Sequence, residues 1–392
     1  MTYLSRAIEL SGAVTGHRRW LHSHPELPFE EKETTAYIVN ELQDAGIEVI
    51  SFADYYGAIG VIHGGLPGKT VMLRADIDAL PLEEHSGEDF AATNGRMHAC
   101  GHDAHAAMLL GAGRMLAERK NELHGTVKLL FQSAEEGFTG ARYYADKGYL
   151  DGVDALFGLH VWGTMQAPFI NIQDGPRMAS CDNFTITVRG QGAHGSTPHL
   201  AKDPIVAASA IVMNLQTFAS RNYDPLHPLV ITVGTVRSGS QFNIIPETAV
   251  MEGTVRTLSR ELRPGIEPGM RRIIENTAEA LGCTAEFVVE RIDSPIDNHH
   301  VRLNDIARRA AITLFGEDIL APMPETMGAD DFSYLLERVP GLYAFMGCLN
   351  EDKGIVFPNH SDKFRIEEDI LYRGAALYAQ FAHDFLAGGG GA

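Results

Sequence analysis

The chain reads as an α/β fold: a mainly parallel, mixed sheet flanked by helices, with a smaller α+β domain of ferredoxin-like order inserted into it. Three observations predict this. Through the first 182 residues, short apolar runs alternate with helical patterns, as β–α units with a parallel sheet require. Near residue 182 the pattern switches to alternating apolar and polar residues, as in "DNFTITVRGQGAH", which suits half-exposed antiparallel strands. After residue 296 the first pattern returns. The expected boundaries are therefore 1–182 with 297–392 for the larger domain and 183–296 for the insert. The length of 392 residues agrees, because single cores stop growing at roughly 250–300 residues.

The elements follow in order. Residues 4–24 have helical apolar spacing, and "TTAYIVNELQDAGIEV" (34–49) reads as an amphipathic helix ended by Gly46. "AIGVIHG" and "TVMLRADID" read as strands, the second apolar enough to be covered on both faces. A long helix is expected over 103–123, a buried strand over 125–137 that runs into acidic residues, and a third strand over 155–162. In the insert, the first strand precedes a helix at 203–220. The strands "LVITVGTVRSG" and "TAVMEGTVRTL" come next, then a helix at about 265–282 and the strand "TAEFVVERI". That order is the split βαβ arrangement. "VRLNDIARRAAITLFG" is helical, "GLYAFMGC" strand-like, and the last long helix runs from Glu367.

Composition narrows the function. A net charge of −19 argues against a nucleic-acid partner, since phosphate binding needs a basic surface. Four scattered cysteines without a CxxC pair point to a reducing cytosol, so the expected location is cytoplasmic. The N-terminus lacks the apolar core of a signal peptide, and no run of about 18 apolar residues predicts a membrane span. The C-terminal "GGGGA" is expected to be a frayed, low-complexity tail.

Polar residues gather where predicted strands end, which is where open α/β sheets bind ligands. Asp76 and Asp78 follow "VMLRA"; "MHACGHDAHAA" holds Cys100 and His102; Glu135-Glu136 follow "VKLLFQSA"; His160 follows "ALFGL"; His360 lies in "PNHSDKF". Singly, each has a plainer reading as a turn, a cap, a solvated face or a hydrogen-bonded histidine. Together, Cys100, His102, Glu136, His160 and His360 supply one thiolate, three imidazoles and one carboxylate. That set is enough for two adjacent divalent ions and suits Zn, Mn, Ni or Co better than Mg or Ca. A neighbouring carboxylate that binds no metal can act as general base, and of Glu135-Glu136 one can bind metal while the other faces water. The rival is a Cys100 nucleophile with a histidine base, which leaves the Glu pair, His160 and His360 without a role. A closed structural metal site, or a metal-dependent binding protein with a dead site, are further alternatives.

The strings "RADIDALPL", "MHACGHDAHAA", "QSAEEG", "GLHVW", "GQGAHGSTPH", "FNIIPETAVMEGTVR", "MGADDFSY" and "PNHSDKF" resemble, in order, the M20 metallopeptidase family. The resemblance is closest to its amidohydrolase branch, which includes hippurate hydrolases, N-acyl-amino-acid hydrolases and auxin-conjugate hydrolases. It implies a catalytic domain with an inserted lid that also forms a homodimer, with a tetramer as an alternative. It implies two metal ions on Cys100, His102, Glu136, His160 and His360, and Glu135 as the base. Asp78 would orient a ligand, with His105 beside it. In the insert, His194 resembles a histidine that reaches the neighbouring subunit's site to stabilise the oxyanion. Asn243 and Arg256 resemble groups that hold the substrate carboxylate or carbonyl. Gly328 would shape a loop near the substrate, and Asp330 and Asp331 are expected to cap the next helix. The activity implied is hydrolysis of an N-acyl amino acid or a related small amide, with M20-type peptidase action on short peptides as the alternative.

Overall fold

The computed structural model describes residues 2–388; the rest of the Gly-rich tail, from Gly389, lies outside the described residues. The chain starts with helices α1 (Tyr3–Ser23) and α2 (Lys32–Asp44), then strands β1 (Glu48–Ser51), β2 (Ala58–His63) and β3 (Leu66–Asp76). Helix α3 (His102–Glu118), β4 (His124–Gln132), α4 (Gly140–Asp146), β5 (Ala155–Gln166) and β6 (Ile170–Asn171) follow. Next come β7 (Cys181–Arg189), α5 (Pro204–Thr217), β8 (Leu229–Ser238), β9 (Thr248–Thr257), α6 (Arg263–Ala280) and β10 (Thr284–Asp293). The chain ends with α7 (Val301–Phe315), α8 (Phe332–Leu336), β11 (Gly341–Leu349) and α9 (Leu371–Ala387).

These elements form two compact units. The first comprises Met1–Gly175, Asp297–Pro324 and Asp330–Ala392. The second comprises Pro176–Ile296 with the short segment Glu325–Ala329.

The first unit is built on a seven-stranded sheet in the order β1-β2-β4-β3-β5-β11-β6. Its four central strands, β4, β3, β5 and β11, are parallel, while β1, β2 and β6 join antiparallel. β5 is buried along its first seven residues, and β11 is buried except at its last, as strands covered on both faces must be. Helices α1, α3 and α9 pack on one another closely enough that a Cβ on Gly111 would meet Val14 Cγ2 at 2.7 Å and Ala375 Cβ at 3.2 Å. The parallel strands thus end at one edge. β3 ends at Asp76 and β4 at Gln132, and the N-terminus of α3 follows the long connection after β3.

The second unit has its own four-stranded antiparallel sheet, ordered β8-β9-β7-β10. With α5 and α6 packed beside it over a separate apolar core, it is a split βαβ arrangement. Asp203 caps α5 by accepting from the Ile205 and Val206 amides, and Pro204 stands at its first turn.

Some expectations need correcting. The helix read within 34–49 stops at Asp44, just before Gly46 with its positive φ of 71°, and Glu48–Ser51 beyond it form an unexpected edge strand. The strand expected to 137 stops at Gln132, so Glu135 and Glu136 sit on a turn rather than in extended chain. The helix expected to 123 stops at Glu118, with a single 3-10 turn at Lys120–Glu122. Helices α4 and α8 have no apolar period long enough to predict. Among the described residues no helix is long and apolar enough to cross a membrane. All four cysteines are free and buried.

Asp103 stands in the first turn of α3, where an acidic residue would read from sequence as a cap, but Gly101 takes the cap position without a side-chain cap bond. Asp103 is fully buried and accepts from Arg18 Nε at 2.9 Å and His22 Nδ1 at 2.8 Å. Arg18 also reaches Glu368, and His22 reaches Glu84. Burial opposes the Asp103 charge, but Arg18 and His22 outweigh it and hold the carboxyl well below its usual range. A depressed carboxylate contributes stability above its unfolded pKa of about 4 and loses it as pH falls towards the folded value. Asp103→Asn should therefore lower unfolding free energy by about 3–5 kcal/mol at pH 7, the scale of a broken buried pair. The gap to wild type should shrink when denaturant unfolding is repeated near pH 3; an equal gap at both pH values would show that Asp103 carries no charge in the fold.

Candidate active site

The ligand-bearing residues predicted for the first unit do converge. Cys100 Sγ lies 3.4 Å from His160 Nε2 and 3.2 Å from His360 Nε2. His360 Nε2 is also 3.2 Å from Glu136 Oε1. Donor atoms of Cys100, His102 and Glu136 all lie within 4.8 Å of one another. Four separate stretches meet here: the loop entering α3, the turn after β4, the middle of β5 and the loop after β11.

The local backbone explains how each side chain gets there. Gly101 has a φ of 93°, and a Cβ on it would stand 2.3 Å from Val161 Cγ2. Only glycine lets the Cys100–His102 turn lie this close to β5. Ala134 and His360 are both non-glycine residues in the left-handed region, at φ 58° and 66°. Such positions cost on the order of 1–3 kcal/mol and persist only where surroundings enforce them. One precedes the Glu pair and the other is itself a candidate ligand.

Hydrogen bonds fix which nitrogen of each histidine faces the cluster. His102 Nδ1 donates to the Asp78 carbonyl at 2.9 Å and Asp78 Oδ1 at 3.1 Å, which turns its Nε2 towards the cluster. His160 Nδ1 donates to the Val161 carbonyl at 2.7 Å, which leaves Nε2 facing Cys100. His105 differs. Its Nε2 accepts from the Val161 amide at 2.9 Å and its Nδ1 donates to Asp76 Oδ1 at 2.5 Å, so neither nitrogen is free to bind a metal. Asp76 also accepts from Arg74 Nη1 at 2.8 Å. Asp78 holds two arms of the cluster: Oδ1 faces His102 and Oδ2 accepts the Glu136 amide at 2.8 Å.

Glu135 leaves the turn in another direction. Its Oε2 is 3.9 Å from His102 Nε2, and its carboxylate lies within 4.8 Å of those of Asp330 and Asp331. The two aspartates are not chiefly helix caps. Asp330 does accept from the Phe332 amide, but it also takes Arg74 and Tyr343, while Asp331 takes Gln132 Nε2 and the Ala141 amide.

The electrostatics point one way. Asp76, Asp330 and Asp331 share the buried guanidinium of Arg74, while the carboxylates of Asp78, Glu135 and Glu136 stand nearby with no arginine or lysine against them among the described residues. Burial, with the charges of Asp330, Glu136 and Asp331, pushes Glu135 well above the usual carboxylate range. Burial, with Glu136 and Glu135, likewise pushes the Cys100 thiol up. Burial disfavours charge on His102, yet Asp76 and Asp78 outweigh it and push that imidazole up to about 10. A site this anionic is short of positive charge. His102 Nε2 is buried and has no hydrogen-bond partner, an expensive state for a polar atom. Sulfur, imidazole and carboxylate donors around an unpartnered nitrogen fit divalent cations of the borderline-soft kind.

The remaining predicted residues belong to the second unit and form two pairs there. His194 is exposed on a short ladder with Ile244, and Gly195 donates to the Asn243 carbonyl at 2.8 Å, so His194 and Asn243 share one corner. His194 Nδ1 accepts from the Ser196 amide at 3.1 Å. Arg256 Nη1 donates to the Met327 carbonyl at 2.9 Å, and the Gly328 carbonyl accepts from Ala179, which sets Arg256 beside the Gly328 segment.

Sequence reasoning missed Arg74 and Glu31. The first had a readable signal, a lone arginine inside the apolar run "VMLRAD". The second had none, since "ELPFEE" looks like any solvated acidic loop.

The sequence profile of peptidase family M20/M25/M40 matches residues 72–384. The chain is 39% identical over 381 residues to thermostable carboxypeptidase 2 of Saccharolobus solfataricus, covering 96% of each chain. It is 40% identical over 381 residues to the N-acetyl-L-cysteine deacetylase of Bacillus subtilis, covering 96% of this chain and 89% of that one. Among solved structures, the Bacillus subtilis YXEP protein, described as a dinuclear metal binding peptidase from the M20 family, superposes with a TM-score of 0.86 at 34% identity. That match covers 97% of this chain and 99% of the other. With the clustered donors at the sheet edge and these matches along almost its whole length, the chain belongs to peptidase family M20/M25/M40, in its amidohydrolase branch.

Proposed function

We propose that the protein hydrolyses the amide bond of N-acyl amino acids or closely related small amides. The observation that carries this reading is the convergence of Cys100, His102, Glu136, His160 and His360 beside the carboxylate of Glu135, which lies towards Asp330 and Asp331 instead. The five residues would hold two divalent ions of the Zn, Mn, Ni or Co type. Bound there, such ions polarise a carbonyl and lower the pKa of water.

The chain's own residues then divide the work. Glu135 takes a proton from the attacking water and passes it to the leaving amine nitrogen. Asp78 keeps His102 and Glu136 in register, and His105 steadies Asp76 behind them. From the second unit, His194 would stabilise the oxyanion in the neighbouring subunit's site, and Asn243 and Arg256 would hold the substrate carboxylate or carbonyl. Gly328 would keep the adjoining segment free of a side chain.

A deacetylase of N-acetyl-L-cysteine and a carboxypeptidase both release an amino acid from an amide, so both kinds of relative support amide cleavage and disagree only about the acyl side. Peptidase action on short peptides is the second reading, on the strength of the carboxypeptidase relatives. A Cys100 nucleophile fits the electrostatics poorly. Such a thiol needs its pKa lowered by nearby positive charge, and here burial and carboxylates raise it.

We further propose a homodimer formed through the second unit. Large apolar side chains stand exposed there, among them Phe242 at 100%, Met213 at 69% and Val236 at 59%, and β8 is an unpaired sheet edge.

Three measurements test these readings. Glu135→Gln should lower kcat by at least about a thousandfold while metal content stays at that of wild type, and near-native turnover would remove Glu135 from the base role. A panel of N-acetyl, N-benzoyl and longer N-acyl amino acids against dipeptides should show higher kcat/KM for the acyl amino acids; the reverse ranking would favour the peptidase reading. Val236→Lys should turn a dimer into a monomer in light-scattering chromatography, and an unchanged mass would show that β8 is not the contact.

A further inference from the structure

The segment "ELPFEE", Glu26 to Glu31, has no part in the mechanism above, yet it is tied to both loops that carry the site. The Ala79 amide donates to the Glu26 carbonyl at 2.8 Å, one residue beyond Asp78. The Glu26 carboxylate accepts from the Thr34 amide at 2.8 Å and the Glu33 amide at 3.1 Å, which secures the segment to α2. Phe29, itself in the left-handed region at φ 65°, packs so close to Gly137 that a Cβ there would meet its Cε2 at 2.7 Å. Glu31 completes the brace. It is fully buried, and its Oε1 accepts the Ala134 amide at 2.7 Å.

Ala134 is the left-handed residue that turns the chain after β4, one position before Glu135. A residue in that region keeps its conformation only where its amide and carbonyl are held. The Ala134 carbonyl is held by the Gly140 amide at 3.2 Å, within the same turn. Its amide is held by Glu31, a side chain from another part of the chain. We propose that Glu31 is a positioning residue: by anchoring the Ala134 amide it fixes the strained turn, and so the opposite directions in which Glu135 and Glu136 leave it. This rests on the role given above to Glu135. The second oxygen of Glu31, Oε2, is buried without a partner. Burial, with the charge of Asp78, pushes the carboxyl up to about 8, so at neutral pH it is mainly the uncharged acid. A glutamine keeps the accepting oxygen and the neutral form; a methionine keeps the volume and loses the acceptor.

Glu31→Met, Glu31→Ala and Glu31→Gln separate this role from simple packing. Hydrogen exchange is followed on the peptide covering Ala134, in metal-free and metal-loaded protein, with kcat, KM and metal content measured on the same samples. The Met variant should exchange at Ala134 at least about tenfold faster than wild type. Its kcat should fall at least about tenfold, with KM and metal content within about twofold, because small misplacements of a catalytic group act on turnover. The Gln variant should recover both readouts to within about threefold of wild type. The Ala variant should match Met in exchange; if Ala alone fails to fold, the Met and Gln pair still decides. Unchanged exchange and kcat in the Met variant, or equal damage in Met and Gln, overturns the proposal. A wild-type protein that cleaves no amide would sink the assigned reaction instead, while the exchange data would still decide whether Glu31 holds the turn.

Discussion

Asp78 gives its two oxygens to different arms of the site. One receives the proton of His102 Nδ1 and the other the backbone amide of Glu136. A single carboxylate at the end of β3 therefore sets both an imidazole's tautomer and the path of the turn after β4. It can do so because β3 and β4 are parallel neighbours whose ends lie side by side. The parallel sheet and the site are in this sense one construction: a change of register between these strands would separate the two partners of Asp78.

Around that bridge the molecule tolerates an imbalance that most interiors avoid. Buried carboxylates outnumber the guanidinium of Arg74 that three of them share, and the site carries raised proton affinities, an unpartnered imidazole nitrogen and a suppressed thiol. Each of these is unfavourable by itself. All would be relieved together by cations placed as proposed among the Cys100, His102, Glu136, His160 and His360 donors. The same charges that would make a thiolate nucleophile unworkable make a metal thiolate natural.

The alternation of apolar strands and helices sufficed to read the α/β core, because strands buried on both faces leave an unmistakable run such as "VMLRA". The split βαβ order of the second unit was equally legible from its two-residue period. Short elements were not: α8 has five residues, too few to show any helical period. The cluster itself was legible only as a set, since no single aspartate or histidine in it has a distinctive neighbourhood in sequence. What could not be read was the partner of each charge. Asp103 and Asp331 look like caps in the sequence, and only tertiary contacts with Arg18, His22, Arg74 and Gln132 reveal them as buried anchors. Backbone strain at Ala134 and His360 was likewise invisible, because neither residue type announces a left-handed conformation.

The candidate ligands fall on both sides of the inserted unit, with Cys100, His102, Glu136 and His160 before it and His360 well after. During synthesis on a ribosome, an entire second core is made before the last donor emerges. The nascent chain therefore carries an anionic, incomplete ligand set for as long as that takes, and ions caught early would be held by fewer donors than the finished protein offers. On the proposed ligand set, tight retention of ions would need His360 as well, and so the completed polypeptide.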